Sequence, residues 1–145
     1  MFTVILNKIG TILTDNVLIQ EVFKYEIESF TGDPVAIVIP SNNSNDYDTT
    51  QENIRIYAYT IRLFVNRTVR SKEKADEVLR NLVDSVIDDL DKDYTFSGIS
   101  NPTGYTFINT FAMPSVWGYV GREDEYRVAE ISVQCRVSVD VTNIS

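Results

Sequence analysis

Histidine is absent from the 145 residues. Its absence removes Ser-His-Asp and Cys-His nucleophile arrangements, histidine-ligated zinc and any imidazole pH switch. Cys135 is the single cysteine, so there is no internal disulfide and no Cys-x-x-Cys pair. The six glycines, at 10, 32, 98, 104, 118 and 121, form neither G-x-G-x-x-G nor G-x-x-x-x-G-K-[S/T], so no phosphate-cradling loop is written in the chain. No apolar run approaches the roughly 20 residues that cross a bilayer, and no membrane partner is expected. Positive charge is scarce: 13 Lys and Arg stand against 21 Asp and Glu, a net charge of −8. Such a surface as a whole repels nucleic-acid phosphates, although a local basic patch stays open.

What is present is globular. The hydrophobic share is 43% and the charged share 23%. A chain this long buries roughly two-thirds of its unfolded surface. One domain, 1–145, is expected, with no repeat or linker. The first thirteen residues carry no basic leader region, and Asn7, Lys8 and Gly10 interrupt their apolar run. They read as mature structure rather than a signal peptide.

Phe2, Ile5, Leu6, Ile9, Ile12 and Leu13 recur with helical spacing, predicting an amphipathic helix that ends near 14–16. Glu21–Glu28 alternates as a half-buried strand, and Thr31-Gly-Asp-Pro34 is turn chemistry. Val35–Ile39 reads as a central strand stopped by Pro40. Ser41–Asn53 is too polar to pack and reads as a long exposed loop, either a contact segment or a tolerated insertion. In Ile54–Val65 the odd positions from Tyr57 onward form the apolar face, while Ile54 and Ile56 have the opposite parity. Either a bulge switches the face there, or that end meets another surface.

Ser71 is a fitting N-cap for a helix whose stripe runs Ala75, Val78, Leu79, Leu82, Val83, Val86, Ile87 and Leu90. Tyr105, Phe107, Asn109, Phe111 and Met113 alternate with smaller residues, predicting a strand that ends at Pro114, with Val116–Val120 as a short aromatic continuation. Gly121–Glu125 is a charged hairpin connection. Ala129 to Val141 alternates as a long amphipathic antiparallel strand. The expected fold is α+β: a mostly four-stranded antiparallel sheet with two helices on one face.

Asp88, Asp89, Asp91 and Asp93 crowd a helix C-terminus, where the dipole disfavours negative charge. A calcium loop starting at Asp89 would need Gly at its sixth position and Glu at its twelfth. Tyr94 and Ser100 stand there. No metal, cofactor or catalytic residue is therefore expected. The aspartates read as a solvated helix end or a partner-facing patch. Arg62, Arg67 and Arg70 are the basic complement, either across a subunit joint or to acids of the same subunit. Asp46, Tyr47 and Asp48 on the polar loop, and Arg122 and Glu123 on the hairpin, are further candidate contacts. Cys135 lies on the apolar parity of its strand and reads as an inert buried thiol.

The segments VFKYEIESFTGDPVAIVIPS (22–41), RIYAYTIRLFVNR (55–67), LRNLVDSVIDDLD (79–91) and WGYVGREDEYRVAEISVQCRV (117–137), with the N-terminal helix and the polar loop, resemble the tail terminator (tail completion) proteins of long-tailed bacteriophages. The resemblance implies two helices on one face of an antiparallel sheet and a homo-oligomeric ring, usually a hexamer. It implies a ring that stops tail-tube growth and joins tail to head. The implied partners are the tail tube protein and a head-completion or connector protein, with DNA passing through the lumen without specific binding. The implied location is the head-proximal end of the virion tail, after assembly in the host cytoplasm. The alternatives are another head–tail joining ring, a tube subunit or, from a different class, a metal-dependent hydrolase built on Asp88–Asp93.

Overall fold

The computed structural model describes residues 1–41, 45–46, 52–121 and 125–142. Among them the chain order is α1 (Phe2–Asp15), β1 (Glu21–Phe23), β2 (Val35–Pro40), β3 (Asn45–Asp46), β4 (Glu52–Asn66), α2 (Lys72–Lys92), β5 (Tyr105–Val120) and β6 (Tyr126–Asp140).

Both helices form where apolar spacing predicts them. In α1 the stripe Ile5, Ile9 and Leu13 is buried, and Gly10 lies on the same buried side. A Cβ on Gly10 would meet Lys24 Cδ at 2.8 Å, so glycine lets the Lys24 stem lie across the helix. Lys24 Nζ then donates to Asn7 Oδ1 at 2.9 Å. In α2 the Ser71 hydroxyl accepts the Lys74 N–H at 3.1 Å, satisfying a donor that the first turn leaves open. Ala75, Leu79, Leu82, Val83, Val86 and Leu90 are buried beneath it.

The strands pair in the order β1-β2-β4-β6-β5, with β3 joined to the β4 edge beyond the end of β2. β1 and β2 are parallel; every other pairing is antiparallel. The sheet is thus mixed and follows a five-strand path, which corrects the expectation of a four-stranded antiparallel sheet, although the class remains α+β. The cause lies in residues 24–34. The strand expected over Glu21–Glu28 stops at Phe23. The chain then crosses the helix-free face, where Ile27 and Phe30 cover Val35, Ile37, Phe64 and Val128. Phe30 stacks at a tilt on Phe64 and Tyr126, both with ring centroids 5.0 Å away. Burying those side chains requires a crossover instead of a tight hairpin, and a crossover returns the next strand parallel.

β2 is an interior strand, as its unbroken β-branched run predicts: β1 and β4 flank it and residues 35–38 are buried. β4 pairs with β6 without a register break from Glu52 to Asn66. No bulge switches its face, so Ile54 and Ile56 face the helix-free side and Ile54 is buried there. Asn45–Asp46 and Glu52–Asn53, expected in the polar loop, are strand.

One core lies between the helices and the sheet. Ile5, Ile9 and Leu13 of α1 and the α2 stripe meet Ala36 and Val38 of β2, Tyr57–Val65 at odd positions of β4, and Ala129–Val139 at odd positions of β6. β5 does not end at Pro114 as expected. It runs on to Val120, because an edge strand tolerates proline, and its register against β6 shifts twice, at Ile108 and Ser115. Each shift reverses the face that the following side chains take.

Candidate assembly surface

The register with β6 assigns the side chains of β5. Tyr105 and Phe107 lie opposite Val139 and Val137, on the helix side. After the first shift Phe111 and Met113 lie opposite Gln134 and Ser132, on the helix-free side. After the second, Val116 and Val120 share that side, while Trp117 and Tyr119 face back toward α2. Phe111, Met113, Val116, Trp117, Tyr119 and Val120 are all 42% to 58% exposed. The distal half of β5 therefore presents large apolar and aromatic groups on both faces at the margin of the sheet.

On the helix side these aromatics meet arginines. The guanidiniums of Arg67 and Arg127 lie 4.6 and 4.5 Å from the Tyr119 ring centroid, and Arg127 is 5.9 Å from that of Trp117. Arg127 Nε donates to Asp76 Oδ1 at 2.8 Å, and its Nη1 donates to the Gly118 carbonyl at 2.9 Å. Asp76, Arg80, Trp117 and Arg127 line a cleft of about 180 Å³. Arg80 is exposed and has no ion-pair partner among the described residues. With Arg127 paired to Asp76, Arg80 is the cation left over at this cleft among the described residues.

The aspartates expected at the end of α2 have separate fates. Asp89 Oδ2 accepts Asn16 Nδ2 at 2.9 Å, and the same amide group reaches Ser85 Oγ at 2.9 Å. Asn16 Oδ1 accepts the Leu18 N–H at 2.9 Å, so one buried amide ties the end of α1 to α2. Asp93 pairs with Lys8 at 3.2 Å and accepts the Ser97 N–H at 2.8 Å. These contacts offset the unfavourable dipole at two of the four positions. Asp88 and Asp91 are exposed and have no ion-pair partner among the described residues.

The arginines expected beside them engage groups of their own chain. Arg62 bridges Glu130 at 2.9 Å and Glu26 at 3.0 Å, and its hydrogen bond to Glu130 chiefly holds its pKa above the ordinary arginine value. Arg70 reaches Asp33 at 2.8 Å and the Asn66 carbonyl at 2.7 Å. Arg67 stacks on Tyr119. Arg62 and Arg70 thus pair with Glu26, Glu130 and Asp33 rather than with the aspartates at the end of α2. Asp46 is in β3; Tyr47, Asp48, Arg122 and Glu123 lie outside the described residues.

Cys135 is fully buried beside Thr110 Oγ1 at 3.4 Å, and burial pushes its pKa up to about 12. A thiol so held is protonated near neutral pH and out of reach of solutes. Among the described residues no three Cys, Asp or Glu side chains are grouped to hold a metal ion, and no helix is long and apolar enough to cross a membrane.

Trp117, Tyr119, Arg127 and Arg80 were not among the sequence candidates. One signal points to them: no charged residue occurs between Asp93 and Arg122. Edge strands are ordinarily guarded by charge, and this one carries none.

No family model matches the chain, and no curated protein matches it. Among solved structures, it is similar to a chain in "Virion of native gene transfer agent (GTA) particle". The two superpose with a TM-score of 0.65 over 92% of this chain and 93% of that one, at 11% identity. At that identity the likeness is one of fold.

Proposed function

We propose that this protein is a structural subunit of a phage-type virion, a ring-forming tail terminator that stops tail-tube growth and joins the tail to the head. The superposition with a chain of a gene transfer agent virion, spanning more than nine-tenths of both chains, carries the reading. The segments that resemble tail terminators support it independently. So does the distal half of β5, whose uncharged, exposed aromatic surface suits contact with protein. The chemistry is assembly: the protein needs no metal or cofactor and has no catalytic step. Its partners are copies of itself, the tail tube protein and a head-completion or connector protein. DNA crosses the lumen, and the acidic balance of the chain favours transit over capture. The protein works at the head-proximal end of the tail after assembly in the host cytoplasm.

Electron microscopy of the purified protein, with and without tail tubes assembled in its absence, tests this. Closed rings seated on one tube end are expected, with tubes of uniform length when the protein is present. Protein polymerised along the tube would make it a tube subunit instead. Tubes of unchanged length distribution and bare ends would overturn the proposal.

A further inference from the structure

Every exposed large hydrophobic residue within the described strands lies in the distal half of β5, and its edge is poorly suited to accept another strand. Pro114 has no N–H to offer, and the adjacent register shift at Ser115 breaks the row of backbone groups. Ser115 Oγ turns inward and donates to the Glu130 carbonyl at 3.2 Å. A partner is therefore received on side-chain faces rather than by continuing the sheet. On the helix side the receiving face is amphipathic: Trp117 and Tyr119 supply area, and Arg80 and Arg127 rim the cleft beside them. Such a cleft fits a partner that brings carboxylates on a rigid element.

The chain itself carries that element. Arg80, Asp84, Asp88 and Asp91 fall at i, i+4, i+8 and i+11 of α2, one exposed stripe that is basic at its start and acidic toward its end. Arg80 and Asp91 are about 16 Å apart along the axis at 1.5 Å per residue, so a straight helix cannot bring them together. A second copy can. We propose that the Trp117–Tyr119 face and its arginines receive the acidic stripe of α2 from another copy of this chain, with Asp88 or Asp91 of that copy entering the cleft at Arg80. The contact buries the aromatics, neutralises a cation that has no ion-pair partner among the described residues and relieves aspartates placed against their own helix dipole. It gives the proposed assembly one specific joint, and in that respect it rests on the reading above.

Mass photometry and sedimentation of the full chain test it, with Arg80→Glu, Asp88→Lys and the two combined. All these positions are exposed, and unchanged thermal melts show that each variant folds. Each single change is expected to weaken self-association about tenfold or more, with the charge-swapped pair recovering much of the loss. High salt should weaken the wild type more than the Arg80→Glu variant. Wild-type self-association in all three variants would overturn the joint. So would a wild type that stays monomeric at high micromolar concentration, alone and with tail tubes. A two-fold dimer made through the same charges would uphold the joint and overturn the ring; rings indifferent to all three variants would do the reverse.

Discussion

β5 and β6 lie side by side, pair from end to end and have similar apolar content, yet they treat their side chains in opposite ways. β6 has strands on both sides and keeps one register with β4 throughout. Its odd residues from Ala129 to Val139 are all buried. β5 has one neighbour, shifts register twice, and leaves its distal apolar residues about half exposed. Burial of an apolar side chain is thus set by what the topology places above it, not by its own hydrophobicity. Where an edge strand carries no charge to guard it, the missing cover supports the contact between copies proposed above.

The sharpest way to break this comparison is to cut into β6. Ile131 is fully buried, opposite Ile61 of β4, and Leu82 of α2 is buried in the same cluster. Ile131→Ala and Leu82→Ala should each cost about 2–5 kcal/mol of unfolding free energy. Urea titration measures it; an unchanged midpoint would mean that these stripes face a partner instead of the core. Next in size is the amide that joins the helices. Asn16→Ala removes three hydrogen bonds at a buried position and should cost about 1–3 kcal/mol. A loss no greater than that of Thr11→Ala, an exposed residue of α1, would show the tie to be incidental.

A third test uses alkali. The Cys135 thiol is buried on β6 with its pKa pushed up to about 12, and burial also raises that of the Tyr59 hydroxyl, which donates to the Phe2 carbonyl at 2.8 Å. The folded state therefore holds protons that the unfolded chain releases. For Cys135 this contribution is complete below the ordinary thiol pKa of about 8.5. It is lost as pH rises from there to about 12. Stability should fall across that window with a slope approaching 1.4 kcal/mol per pH unit for one group, and Cys135→Ala should flatten the curve. At pH 8 a maleimide should label Cys135 only in denaturant; rapid labelling of the native protein would contradict its burial.

The legible part of the fold was the periodic part. α1, α2 and β6 each carry a long single-period stripe, and they formed within about three residues of the expected bounds. The parallel β1–β2 pair left no such mark. β1 is three residues long, and Thr31-Gly-Asp-Pro34 has the composition of a hairpin turn whether or not the chain crosses a sheet before reaching it. The shifts in β5 were hidden for a related reason: a bulge adds one residue without a distinctive residue type, so alternation read through Phe111 and Met113 puts them on the wrong face. Charge was legible as charge but not as pairing. Arg70 and Asp33 stand 37 positions apart, and Lys8 meets Asp93 from the other end of the chain. The arginine–aromatic cleft needed the sheet itself, since β5, β6 and α2 each supply part of it.

The smallest expected effect is the one that sharpens the comparison most. Phe111→Ser and Met113→Ser remove large apolar groups from β5, as Ile131→Ala does from β6, yet both sit about half exposed on the face that α2 does not cover. With little area to lose on unfolding, they should move stability by no more than about 0.5 kcal/mol. Replacing an exposed apolar group also lowers the tendency of the isolated subunit to aggregate, so soluble yield should rise or stay level. Chemical denaturation of the protein under associating and dissociating salt conditions separates two sources of any loss. A penalty that is present only where the wild type is assembled belongs to the contact between copies. A penalty of about 2 kcal/mol or more in the dissociated subunit would mean that these side chains are already covered within one chain. Exposure on β5 would then be no guide to where assembly occurs.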